Sequence, residues 1–305
     1  MSRVAFCFPG QGSQRVGMGR ELAEQVPAAA DVFEGANEAV GFDLRRVCFE
    51  GPIEELSRTE ITQPALVAAS LASLAAVDEA GMRADVVVGH SVGEYAALAA
   101  AGAAPAADLL RLVQERGRLS AAAAAGGGMA AVLKLTDEQV EQLCAARDDV
   151  WPANYNCPGQ VVISGSDEGL AAVAEGAAAA GGRTIPLKVA GAFHSPLMAD
   201  AAERFEPAVR AVGFAAFSTP FMSTVTSAME TADRVPRLLV DQLTAPVRFT
   251  QAVQRLVADG VDTFVEVGPG GVLAGLVRRI DDSVRTVSIA APADLAAAQE
   301  VVADA

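Results

Sequence analysis

Residues 89 to 93 read Gly-His-Ser-Val-Gly, a serine framed by two glycines, which marks Ser91 as a candidate nucleophile. A serine hydroxyl attacks poorly near neutral pH unless a base within hydrogen-bond reach takes its proton. The chain holds only two histidines, His90 and His194. His90 adjoins Ser91 at the end of an extended strand, where neighbouring side chains point to opposite faces, so it reads as a residue packed under the turn. His194, in the loop Gly191-Ala192-Phe193-His194-Ser195-Pro196, is the remaining candidate base. Arg116 is the third residue with chemistry in prospect. A helix over residues 106–120 places it on the apolar stripe of Leu109, Leu112, Val113 and Leu119, while Arg111, Glu115 and Arg118 take the polar side. A guanidinium on a buried face must be compensated, and its planar fork suits a carboxylate. That partner is either a substrate or a buried glutamate in a structural ion pair.

The elements around these residues follow from periodicity. A β-branched run over 85–88 and a helical pattern over 94–101 flank Ser91 and give the strand-turn-helix setting of a nucleophile elbow, with the helix start supplying backbone N–H groups and a positive dipole end. Strands and helices alternate from residue 1 to about 125, with another strand at 4–8 and another helix at 64–79, which implies a mostly parallel sheet covered by helices. The run AAAAAGGG at 121–128 breaks that pattern and suits a crossing between domains. Residues 129 to 187 then read strand, helix, strand, strand, helix, strand, the order of a ferredoxin-like unit. A strand at 263–267, a Gly-Pro-Gly-Gly turn and a helix at 272–280 resume the first pattern. The expected fold is therefore α/β, with a large α/β-hydrolase-like domain over residues 1–127 and 189–305 and a ferredoxin-like insertion over 128–188.

With 305 residues, 51% hydrophobic and 20% charged, the chain can bury a full core. No uninterrupted apolar stretch approaches the ~18 residues of a membrane span. The first residues read as a strand rather than a signal segment, so a cytoplasmic protein is expected. A net charge of −15 argues against a nucleic-acid partner. Cys7, Cys48, Cys144 and Cys157 lack metal-ligand spacing and are expected to be reduced and buried, with no metal site. Gly10 and Gly12 follow a strand, but the third glycine of a dinucleotide fingerprint would fall at Arg15, which excludes that motif.

Seven runs in order resemble the malonyl-CoA:acyl carrier protein transacylases and the related acyltransferase domains of polyketide synthases. They are Phe8 to Gln14, Thr62 to Ala65, Gly89 to Tyr95, Gln114 to Gly117, Asn154 to Gln160, Phe193 to Met198 and Glu266 to Pro269. The resemblance implies a ping-pong transfer of malonyl from coenzyme A to the phosphopantetheine thiol of an acyl carrier protein, in fatty acid or polyketide biosynthesis, by a monomer without cofactor. Ser91 would carry the acyl ester and His194 would be its base. Val92 and Gln11 would form the oxyanion hole, and Arg116, Phe193 and Asn156 would contact the substrate. The backbone of Gln242 would orient His194. Phe193 before the histidine accompanies unbranched malonyl substrates in that family. An acyl-editing thioesterase or esterase of α/β-hydrolase type would share the elbow, but would call for an acidic partner and an H-G-G-G-type loop, which is absent. A silent docking module of a synthase would have lost Ser91, His194 or Arg116.

Overall fold

The computed structural model describes residues 3–123 and 127–303. Ala124, Ala125 and Gly126, inside the expected crossing at 121–128, lie outside the described residues. The strands in chain order are β1 (Val4–Phe8), β2 (Val86–Gly89), β3 (Gly128–Leu133), β4 (Val150–Cys157), β5 (Gln160–Gly165), β6 (Arg183–Pro186), β7 (Phe221–Ser223), β8 (Ala228–Glu230), β9 (Thr263–Val267) and β10 (Arg285–Ile289). They form two sheets. The larger has the order β10-β9-β1-β2-β7-β8.

Its first five strands run parallel. β8 returns antiparallel to β7, so the expected parallel sheet is mixed at one edge. The reason is local: the turn between them is closed by Ser227 N–H donating to the Ser223 carbonyl at 2.9 Å, too short a connection for a crossover. Along β1 the side chains alternate between two cores. Val4, Phe6 and Phe8 enter one and Ala5 and Cys7 the other, which is why the strand reads as a continuous apolar run.

The helix expected to start at Pro64 starts earlier and spans Thr59–Glu79, with Pro64 inside it. Proline is tolerated there at the loss of one backbone bond, because tertiary packing holds the helix. This helix is long and apolar enough to cross a membrane by length and composition, yet 78% of its most apolar window is buried inside the protein. All four cysteines are free and buried.

The smaller sheet, order β4-β5-β3-β6, is antiparallel throughout. The helices Asp137–Ala145 and Asp167–Ala179 cover one face, burying Val132, Val140, Val161 and Val173. On its other face Met129, Ala131, Ala153 and Val162 pack with Phe193 and Val189. The strand β4 is stitched to the chain beyond residue 243: Tyr155 N–H donates to the Val247 carbonyl and Val247 N–H to the Ala153 carbonyl, both at 2.8 Å. These bonds tie the small sheet to the segment that leads into the helix Phe249–Ala258. A cleft lies between Met129, Asn154 and Val162 of the small sheet and Gln11, His90 and Ser91, which follow β1 and β2.

Candidate active site

The turn after β2 is sterically set by its glycines. A Cβ on Gly89 would stand 2.2 Å from the Glu94 nitrogen, and one on Gly93 would stand 2.1 Å from the Phe8 carbonyl oxygen. No side chain fits at either place, so the strand can turn tightly into the helix Gly93–Ala100 and lift Ser91 out of it. Ser91 itself takes a left-handed backbone, φ 52°, which is strained for a residue with a side chain.

His194 also adopts a left-handed backbone, φ 58°. Its Nε2 lies 2.7 Å from Ser91 Oγ. Its Nδ1 lies 2.9 Å from the Gln242 carbonyl and 3.1 Å from the Ala245 carbonyl. Carbonyl oxygens only accept, so Nδ1 carries the proton and Nε2 is left as acceptor for the serine hydroxyl. Burial, then the positive charge of Arg116 and the nearby His90, push the His194 imidazole down to about 3, against the hydrogen bonds to the two carbonyls. The ring is therefore neutral across the physiological range, with Nε2 free to accept.

Arg116 is buried and points at the same oxygen. Its Nη2 donates to Ser91 Oγ at 3.2 Å and its Nη1 to Gln63 Oε1 at 2.7 Å, while its Nε has no partner. Among the described residues no carboxylate lies within ion-pair distance of it, which removes the structural ion pair left open by the sequence. Burial lowers its pKa, opposed by Tyr95 and Glu94. A guanidinium so placed favours an incoming anion.

The cleft and the open solvent at its mouth together span about 740 Å³, and Gln11, His90, Ser91, Val92, Arg116, Asn156, Phe193 and His194 all line it. The backbone N–H groups of Gln11 and Val92 donate no hydrogen bond among the described residues. His90 does not reach the serine hydroxyl: its Nε2 lies 2.9 Å from Asn156 Oδ1, so it sits in the wall of the cleft rather than wholly beneath the turn. Burial lowers its pKa, partly offset by Asn156. Phe193 is half-buried and bridges the main core and the open face of the small sheet.

Gln242 is buried, and its side chain is as engaged as its backbone. Nε2 donates to the Ser91 carbonyl at 3.2 Å and to Glu94 Oε2 at 2.6 Å. Glu94 is fully buried, and burial raises its carboxyl to about 7 against hydrogen bonds from Thr224, Ser223 and Gln242. Gln63, Glu94 and Ala245 were not singled out by sequence reasoning. Gln63 and Glu94 stand within runs that carry the family resemblance, which was the available signal. Ala245 acts through a carbonyl and gives none. Among the described residues no group of three His, Cys, Asp or Glu side chains is placed to hold a metal ion.

The sequence model of the family described as acyl transferase domain matches residues 5–298. The malonyl CoA-acyl carrier protein transacylase of Bacillus subtilis (strain 168) is 42% identical over 301 residues, covering 96% of this chain and 95% of that one. The chain belongs to this acyl transferase family. A second member, the malonyl CoA-acyl carrier protein transacylase of Escherichia coli (strain K12), is 40% identical over 309 residues, covering 99% and 100%. Among solved acyl transferase structures, that of the Clostridium perfringens malonyl CoA-acyl carrier protein transacylase superposes with a TM-score of 0.95 at 35% identity, covering 99% and 98%. A malonyl-transacylase in complex with a type II PKS acyl-carrier protein superposes with a TM-score of 0.95 at 37% identity, covering 98% and 99%.

Proposed function

We propose that this chain transfers a malonyl group from malonyl-CoA to the phosphopantetheine thiol of an acyl carrier protein through an ester on Ser91. The observation that carries the reading is Ser91 Oγ held between a neutral His194 Nε2 at 2.7 Å and a buried Arg116 that lacks a carboxylate partner. The malonyl carboxylate occupies the guanidinium, with Gln63 holding its other side. His194 takes the Ser91 proton as Oγ attacks the thioester carbonyl. The oxyanion sits against the unpaired N–H groups of Gln11 and Val92, worth about 3 kcal/mol per donor in comparable sites. The C–S bond then breaks, and the imidazolium returns its proton to the coenzyme A thiolate. In the second half, the carrier thiol gives its proton to His194 and attacks the ester, and Ser91 leaves with that proton.

The carbonyl of Gln242, with that of Ala245, keeps His194 in the productive tautomer in place of an acid. Asn156 and Phe193 shape the acyl pocket. The exchange leaves every oxidation state unchanged and the protein supplies its own base, so the reading calls for no metal or redox cofactor. We also read residues 1–127 and 189–305 as an α/β-hydrolase-like body and 128–188 as a ferredoxin-like insertion, supported by the strand order β4-β5-β3-β6. The same reading takes the protein as a cytoplasmic monomer, since both substrates are soluble and no step above calls for a residue from a second chain. Mixing the chain with malonyl-CoA and holo carrier protein tests the proposal. Malonyl carrier protein should accumulate, whereas release of free malonate in its place would make the chain a thioesterase.

A further inference from the structure

We infer that Glu94 is a positioning residue for the base: it holds the Gln242 side chain, and with it the carbonyl that orients His194, against the turn that carries Ser91. The inference rests on the acyl transfer reading above. Glu94 lines no part of the cleft and touches neither Ser91 Oγ nor the imidazole, so it has no direct part in the chemistry. It is nevertheless fully buried, and each hydrogen bond to its carboxylate comes from a donor. Oε1 accepts from Thr224 N–H at 2.6 Å, Thr224 Oγ1 at 2.8 Å and Ser223 Oγ at 3.1 Å, all at the end of β7. Oε2 accepts from Gln242 Nε2 at 2.6 Å.

The Gln242 amide can take only one orientation here. Its nitrogen stands between two acceptors, Glu94 Oε2 and the Ser91 carbonyl, while its own Oε1 is buried without a partner. Turning the amide over would set that oxygen against both of the others. The result is a closed path from the nucleophile turn to the base: Ser91 carbonyl, Gln242 amide, Gln242 carbonyl, His194 Nδ1 and His194 Nε2, back to Ser91 Oγ. Glu94 anchors that path to the C-terminal end of β7 in the large sheet through Ser223 and Thr224. Such support sets how well a base is aimed, and it acts on the rate of proton transfer rather than on substrate binding.

Glu94→Gln tests this. An amide in place of the carboxylate must turn its NH2 toward either Thr224 N–H or the Gln242 amide, two donors face to face. Coenzyme A release from malonyl-CoA is followed in single-turnover acylation of the full chain, and this release by the wild type tests the underlying reading separately. The variant should acylate roughly 10- to 100-fold more slowly, with KM for malonyl-CoA within about twofold. Gln242→Ala should show the same split, and the double variant should be no slower than Gln242→Ala alone, because both act through one amide. A wild-type acylation rate in Glu94→Gln, or losses that multiply in the double variant, overturns the inference. Should Glu94→Gln fail to fold, Glu94→Asp keeps the charge but draws it back from Gln242 by one methylene. The same loss of rate without loss of binding is expected there, and a wild-type rate overturns the inference equally.

Discussion

Ser91 Oγ and His194 Nε2 meet at 2.7 Å, each carried by a left-handed backbone position. Neither conformation is favourable for a residue with a side chain, and both are held by surrounding structure: the glycine-tight turn for Ser91, the carbonyls of Gln242 and Ala245 for His194. Replacing His194 by alanine removes the ring that touches the hydroxyl. The variant should fold and acylate Ser91 at least ~10²-fold more slowly, the scale of losing a general base. Wild-type rates would assign the base elsewhere.

The ionisation of His194 gives a second expectation. Its folded pKa is depressed to about 3, from an ordinary value of about 6.5. The sign follows directly. Its contribution to stability is fully present above about 6.5 and is lost as pH falls from there toward the folded value. Ring signals of labelled histidine in the folded chain should show His194 neutral throughout the range from about pH 8 to about 5, the window in which an ordinary histidine titrates. A midpoint near 6.5 for that ring would contradict the buried, Arg116-flanked site.

Arg116→Ala should reduce use of malonyl-CoA far more than use of acetyl-CoA, because only malonyl offers a carboxylate to the guanidinium. A charged hydrogen bond of this kind is worth about 1.5–3 kcal/mol, so a shift in preference of roughly tenfold or more is expected. The kcat/KM values for the two substrates measure it. Equal losses would mean that Arg116 serves the fold through Gln63 and Ser91 rather than the substrate.

How far the sequence reveals all this depends on what each residue contributes. Ser91 lies between two glycines that the turn requires, and Arg116 is a charge on an apolar stripe; both patterns are visible in one dimension. The strand Thr263–Val267 and the helix Val272–Ile280 stand where their periodicity puts them. Pro64 misled because proline usually opens a helix, while packing carries this one through it. The strands Phe221–Ser223 and Arg285–Ile289 gave no signal, the first having three residues and the second being polar and only half-buried. Gln242 and Ala245 support His194 through carbonyls, which every residue has. The role of Glu94 exists only once β7 and the Gln242 segment have been folded onto it.

Phe193 supports a prediction about the α-carbon of the substrate. The ring lines the cleft next to His194 and fills the space between the main core and the small sheet. An α-methyl would compete with it for that space. One methyl in a pocket is worth only ~1–3 kcal/mol, so a preference of roughly 10- to 200-fold for malonyl-CoA over methylmalonyl-CoA is expected. Phe193→Ser should shrink the ratio. Competition of the two thioesters for the enzyme measures it, and a wild type that loads both equally would show that Phe193 only packs.

The most direct measurement is the intact mass of the chain after brief exposure to malonyl-CoA, for the wild type and for Ser91→Ala. The wild type should gain the mass of one malonyl group, located by fragmentation on the peptide that contains Ser91, and should lose it again when holo carrier protein is added. Ser91→Ala should gain nothing. A malonyl adduct that persists in the folded Ser91→Ala protein would contradict the ester on Ser91.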